Sequence, residues 1–285
     1  MFCFNQKRVG PKLWKPLLAI AIISTFWFVG NREYKRRKEW WGWEEYHGDT
    51  SQVGDKVIVM AKLEKENTDW VAQNLPDWQR AIYTVDNTEA ALHTPLNKGK
   101  EAMAYLTYII EFYTRLPRTI VFLHSHRDGW MHGWHTDAWR FDNVRSVKAL
   151  QLHFVQGNGY VNLRCSWNPG CKPSHLYNAH VTPRVWKEIF VNSTSAPTQI
   201  GAACCAQFAV SRDQVLARPL DDYVHFRKWI FDTELSDEKS GRVMEFLWHY
   251  IFGKDAIDIH KVALIQRPVI AVYTDDATSC QELAA

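Results

Sequence analysis

The stretch NKGKEAMAYLTYIIEFYTRLPRTIVFLHSHRD, residues 97–128, decides the fold class. Its first half places apolar groups at Ala102, Leu106, Ile109, Phe112 and Leu116, the spacing of one helix face. Pro117 cannot continue that helix, because its ring fixes φ and removes a backbone donor. Residues 119–123 follow as a short branched and aromatic run, the pattern of a buried strand. The strand ends abruptly in His124-Ser125-His126-Arg127-Asp128.

Upstream, residues 56–61 (KVIVMA) read as a buried strand, residues 69–74 as a short helix and residues 81–85 as a second strand. Strand, helix, strand, helix, strand in that order implies right-handed crossovers, and so an α/β, Rossmann-like fold: a mainly parallel sheet flanked by helices. Ligands of such sheets bind beyond the carboxyl ends of the strands, where His124 to Asp128 lie. The later half is more mixed. Residues 150–155 fit a strand or a helix end, residues 181–191 a short helix, residues 203–210 an apolar run, and residues 220–231 a helix. A last amphipathic helix is expected over residues 241–252, with Val243, Phe246, Leu247, Tyr250 and Ile251 on one side.

Composition frames these elements as one globular domain over residues 55–275, with a flexible tail over 276–285. Hydrophobic residues make up 46% and charged ones 23%, enough for a large core. A formal net charge of +3, drawn mostly from the first forty residues, is too small to imply a nucleic-acid partner. Residues 17–29 (LLAIAIISTFWFV) are uncharged, apolar and flanked by basic residues. No small-x-small cleavage site follows, so residues 1–30 are expected to be a basic N-terminus with a signal anchor, a single membrane pass. Residues 31–54 form a basic, Trp-rich linker whose Trp40, Trp41 and Trp43 would sit at the membrane interface or cover the domain base. This arrangement implies an endoplasmic reticulum or Golgi membrane with a lumenal C-terminal domain. Two features suit that side: the sequon Asn192-Ser193-Thr194, and Cys165 with Cys171, which bracket a turn-rich segment and would form a disulfide. Cys204, Cys205 and Cys280 are expected as buried thiols, the adjacent pair being less readily joined.

Four of the twelve histidines, His124, His126, His132 and His135, cluster after the central strand. Side chains on an extended strand alternate, so His124, His126 and Asp128 are expected on one face, a ligand set for a divalent ion such as Mn or Zn. Asn97, Gly99 and Lys100, with Lys98, open the preceding crossover helix, where free N–H groups favour a phosphate. Glu245 is the candidate base, and Trp248 and His249, expected on the same helix, would frame an acceptor ring.

Residues 97–137, with NLRCSWNPGC at 162–171, GAACCAQFAVSRDQVLARPLDDYVHFRKWIFDT at 201–233 and SGRVMEFLWHYIFG at 240–253, resemble a fungal family catalogued as domain of unknown function 3431. Its members are broadly similar to glycosyltransferase-A-like enzymes, with an early β-α-β unit, a polar metal motif after a central strand and a late acidic helix. The resemblance implies sugar transfer from a nucleotide-sugar donor to a small-molecule or glycan acceptor, in fungal glycosylation or secondary metabolism. The chain departs from the transferase pattern where His124-Ser125-His126-Arg127-Asp128 replaces Asp-x-Asp. Two alternatives stand beside it. His-x-His-x-Asp matches five positions of a metallo-β-lactamase pattern, although Gly129 replaces its sixth, which suits a metal-dependent hydrolase with Asp128 in its centre. A non-catalytic reading has His132, His135 and Asp137 bracing a loop against Trp130, Trp134 and Trp139.

Overall fold

A computed structural model describes residues 55–129, 135–164, 180–193 and 195–258, all within one compact unit, Asp49–Ala285. The expected membrane segment, the linker, the Cys165 and Cys171 pair and the tail lie outside the described residues. Among the described residues no helix is long and apolar enough to cross a membrane.

The chain is a mixed α/β protein. Strand β1 (Lys56–Lys62) leads through α1 (Asp69–Asn74) to β2 (Gln79–Thr84), and α2 (Ala102–Phe112) then leads to β3 (Thr119–His124). After a 3-10 turn at Trp139–Phe141 come α3 (Asn143–Ala149), α4 (Leu152–Asn158) and β4 (Tyr160–Asn162). Helix α5 (Pro183–Ile189) precedes β5 (Gly201–Ala202), β6 (Phe208–Ser211), α6 (Arg212–Leu216) and α7 (Leu220–Asp232). Helices α8 (Asp237–Glu245) and α9 (Trp248–Ile251) precede β7 (Ile257–Asp258), which pairs in parallel with β5.

The main sheet has the order β2-β1-β3-β6-β4. Strand β1 is parallel to β2 and to β3, with Ala61 opposite His124 as their last pair. Strand β6 runs antiparallel to both β3 and β4, so four strands share one direction and β6 is reversed. That reversal places the residues before β6, Cys204 to Gln207, at the edge where β1 and β3 end.

Strand alternation explains why helices cover both faces. Val57, Val59, Ile120, Phe122, Phe208 and Val210 point to one side, into a core built with α2, α7, α8 and α9. Ile58, Met60, Val121, Leu123, Val161 and Ala209 point to the other, against Trp70 and Val71 of α1 and against α3 and α4. Each such buried side chain contributes on the order of 1.5–3 kcal/mol relative to exposure. In the larger core Phe122 and Phe208 lie 4.8 Å apart, with Tyr105 and Trp248 packed around them.

The segment expected as a strand or a helix end is helix α4, closed by Gly159 at φ +77. The single helix expected over 241–252 is two helices. Leu247 N–H bonds Met244 C=O, an i to i−3 contact that tightens the turn and re-aims α9. Trp248 and His249 are consequently buried, at 1% and 0% exposure, so packing claims the rings expected to frame an acceptor. The neutral His249 ring donates from Nε2 to Ala256 C=O at 3.0 Å, while Nδ1 has no partner.

Burial thus holds the His249 pKa down at about 4, against a weaker upward pull from the Ala256 carbonyl. Because the unfolded ring titrates near 6.5, this contribution is present above that pH and is lost as the pH falls from about 6.5 to 4. Urea midpoints followed by circular dichroism should therefore drop over that window by the equivalent of up to ~3 kcal/mol from this residue, and His249→Gln should remove that share of the drop.

Candidate functional site

The topology collects polar groups at one edge. The first connection carries the chain from β1 to β2, and the next crosses back over β1 to β3, so β1 and β3 flank a switch point whose crevice opens beyond their carboxyl ends. Leu63 to Glu66 form the turn after β1, with Glu66 N–H bonding Leu63 C=O and Leu63 N–H bonding Glu66 Oε2 at 2.8 Å. Ser125 Oγ donates to the same Oε2 at 2.9 Å, and His126 Nε2 stands 3.7 Å from Oε1.

The loop carrying His126 is held from two sides. Trp70 Nε1, from α1, donates to Ser125 C=O at 3.0 Å. Asn143, first residue of α3, donates Nδ2 to His126 C=O at 2.8 Å and its backbone N–H to Arg127 C=O at 2.9 Å. Those bonds leave the His126 side chain 39% exposed while Glu66 beneath it is 21% exposed. A held, half-exposed imidazole over a carboxylate can accept a proton from a bound hydroxyl, with the carboxylate orienting the ring.

Gln207 locks the same edge from below. Fully buried, it accepts from His124 N–H at 2.9 Å and donates to His135 C=O at 3.0 Å and to Asn143 Oδ1 at 3.1 Å. His124 and His135 meet at 3.2 Å between their Nδ1 atoms. Burial first, then the neighbouring His135 and His126, hold His124 down at about 3, so it stays neutral.

Farther along the edge lies a buried charged group. Cys204 and Cys205 are joined in a disulfide between neighbours, where buried thiols were expected. Cys205 at φ +88 and Ala206 at φ +47 bend the backbone away from the extended form that would send the two side chains to opposite faces. Arg164 Nη1 donates to Cys204 Sγ at 2.8 Å and to Cys205 Sγ at 3.3 Å, and its Nε bonds Asp137 at 3.2 Å. Glu245 accepts from Cys205 N–H at 2.7 Å and from Arg242 Nη1 at 2.6 Å. Burial pushes the Glu245 carboxyl up. Glu101, before α2, is pushed up to about 8, by burial first and then by Glu245, despite the helix end that favours its charged form.

The expected metal set is not brought together among the described residues. Strand β3 stops at His124, so alternation does not carry on to His126 and Asp128. His124 faces His135, His126 faces Glu66, and Asp128, 48% exposed, pairs with Arg127 at 3.3 Å. The loop expected to hold a phosphate is a tie between helices. Lys98 Nζ bonds the carbonyls of Phe231 and Thr233, and Lys100 bonds Asp237 through its amide at 2.9 Å and its ammonium at 2.6 Å. Gly99, at φ +79, leaves no room for a Cβ, which would stand 2.7 Å from Ile230 Cγ2. Asn97 is exposed beside them. Glu245 has both oxygens engaged, and Asn192 is exposed in the turn after α5. Asp137 pairs with Arg164, while His132, Trp130 and Trp134 lie outside the described residues.

Glu66, Asn143 and Gln207 escaped the sequence reading. Glu66 had a usable signal, a carboxylate four residues past the first strand of a switch-point fold. Gln207 had none of its own, because its position depends on the reversal of β6.

A family model described as "Protein of unknown function (DUF3431)" matches residues 58–266, and the chain belongs to that family. No curated protein and no solved structure matches it significantly.

Replacing Gln207 by Leu should strand His124 N–H, His135 C=O and Asn143 Oδ1 in the interior. We expect a loss of about 2–4 kcal/mol in urea unfolding, against less than ~0.5 kcal/mol for Asn97→Ala at the exposed loop.

Proposed function

We propose that this family member is a glycosyltransferase-like enzyme, anchored by residues 17–29, that moves a sugar from a nucleotide-sugar donor to an acceptor hydroxyl at the carboxyl edge of the sheet. In this reading the fold is Rossmann-like, of the glycosyltransferase-A type, and the domain is lumenal. The observation that carries it is the half-exposed His126 set over Glu66 beside the β1–β3 switch point. The one-directional β1, β2 and β3 with helices on both faces support it further.

As the acceptor oxygen bonds the anomeric carbon, the carbon–oxygen bond to the diphosphate breaks and the nucleoside diphosphate leaves. The acceptor proton passes to His126 Nε2, and Glu66 stabilises the imidazolium that results. Arg127, 44% exposed on the same loop, supplies positive charge for the departing diphosphate. His124, His126 and Asp128 face different partners, His135, Glu66 and Arg127, so the proton transfer falls to His126 and Glu66.

The full chain in detergent, offered a panel of nucleotide sugars with Mn or Mg ions, should release nucleoside diphosphate. His126→Ala should lower that rate by about 100-fold or more. Glu66→Gln should lower it less and shift its pH profile, and Asp128→Ala should stay within about threefold, as for an exposed side chain off the reaction path. Stoichiometric zinc with ester hydrolysis and no donor turnover would transfer the site to the hydrolase alternative.

A further inference from the structure

The segment before β6 holds chemistry that sugar transfer does not use. Among the described residues, one group of three ligand-type atoms lies mutually within 4.8 Å: the sulfurs of Cys204 and Cys205 and a carboxylate oxygen of Glu245. We propose that the reduced Cys204 and Cys205, with Glu245, form a site for one thiophilic divalent cation of the zinc class, and that the disulfide is the closed form of that site. The inference is independent of the proposed transfer reaction.

Distances suit such an ion. Zinc lies about 2.3 Å from sulfur and about 2.0–2.2 Å from a carboxylate oxygen, so two ligands on one ion stand no more than ~4.6 Å apart. All three atoms lie within 4.8 Å of one another, and opening the sulfur–sulfur bond lets the two sulfurs separate around an ion. Two sulfurs and one oxygen leave a fourth position for water or another ligand.

The surrounding charges argue for a cation in the reduced state. With the disulfide closed, Arg164 pairs with Asp137 at 3.2 Å and Arg242 with Glu245 at 2.6 Å. Arg164 also donates to both sulfurs, which favours thiolates over thiols once the bond is broken. Two thiolates add two negative charges at residues only 4% and 6% exposed, and Arg164, already shared with Asp137, does not by itself offset both. A divalent cation does. The Cys205 amide on Glu245 Oε1 plays the part of an outer partner that orients a ligating carboxylate.

The chemistry balances with a thiol or phosphine reductant. Two electrons break the sulfur–sulfur bond and two protons complete the thiols, while a dithiol reductant closes to its own disulfide, or a phosphine takes the oxygen of a water to become its oxide and that water supplies the two protons. The cation then displaces both thiol protons to solvent.

The test uses the full chain and cadmium alone. Protein reduced with a phosphine and freed of reductant under argon is titrated with Cd2+, alongside unreduced protein. Bound metal is counted by elemental analysis, and the thiolate-to-cadmium charge-transfer band is followed in the ultraviolet. The reduced protein should take up one more ion per chain than the unreduced protein, with the band rising in step. Glu245→Gln should weaken that ion about tenfold or more, and the Cys204→Ser, Cys205→Ser double variant should lose it. Equal cadmium in reduced and unreduced wild-type protein would overturn the proposal without recourse to any variant. So would a reduction-dependent ion retained by the double variant, which would place it on Cys3, Cys165, Cys171 or Cys280.

Discussion

Strands β1 and β3 bury both their faces, and the rest of the architecture answers to that. Val57 and Val59 on one side, Ile58 and Met60 on the other, are each at or below 2% exposure, so helices must lie on both faces. Polar side chains have no place along the middle of such strands. They gather instead at the strand ends, where Glu66, Ser125, His126, Arg164 and Gln207 appear in quick succession along one edge. The location of the site thus follows from the burial of the sheet rather than from any one motif.

Gln207 shows how that edge is made rigid. Its amide accepts from the end of β3 and donates to His135 and to Asn143, and Asn143 in turn holds the carbonyl of His126. A buried primary amide with both ends engaged fixes its neighbours, because any of them left unpaired inside the protein costs on the order of 1–3 kcal/mol. His126 therefore inherits its place through Asn143 from β6, an element far away in sequence.

That dependence also separates what was legible in the sequence from what was not. The first strands and α2 could be read from the sequence, because β1, β3 and α2 each bury a continuous apolar run bounded by polar residues or a proline. Short range decides such elements, and α1 fell on residues 69–74 as expected. The reading of His124, His126 and Asp128 as one set rests on a different premise. Its logic required β3 to continue, yet Trp70 and Asn143 bond the carbonyls just beyond His124 and turn the chain there. Local spacing carries no record of such long-range bonds. The same holds for Cys204 and Cys205, whose joining needs a positive φ that neither residue type announces.

The cysteine pair and His126 lie along this one edge, with Gln207 between them. Cys205 lies two residues before Gln207, and the backbone between them passes through φ +88 at Cys205 and φ +47 at Ala206, values that non-glycine residues hold only under constraint. A bond between neighbouring side chains supplies such a constraint at Cys205, since a ring closed over one peptide restricts the dihedrals within it. The Cys205 amide to Glu245 supplies another, from α8. Where these contacts hold the turn, Gln207 is delivered to His124, His135 and Asn143 in the register that β6 requires. A short run of contacts thus separates the cysteine pair from His126: the turn, Gln207, Asn143 and the His126 carbonyl.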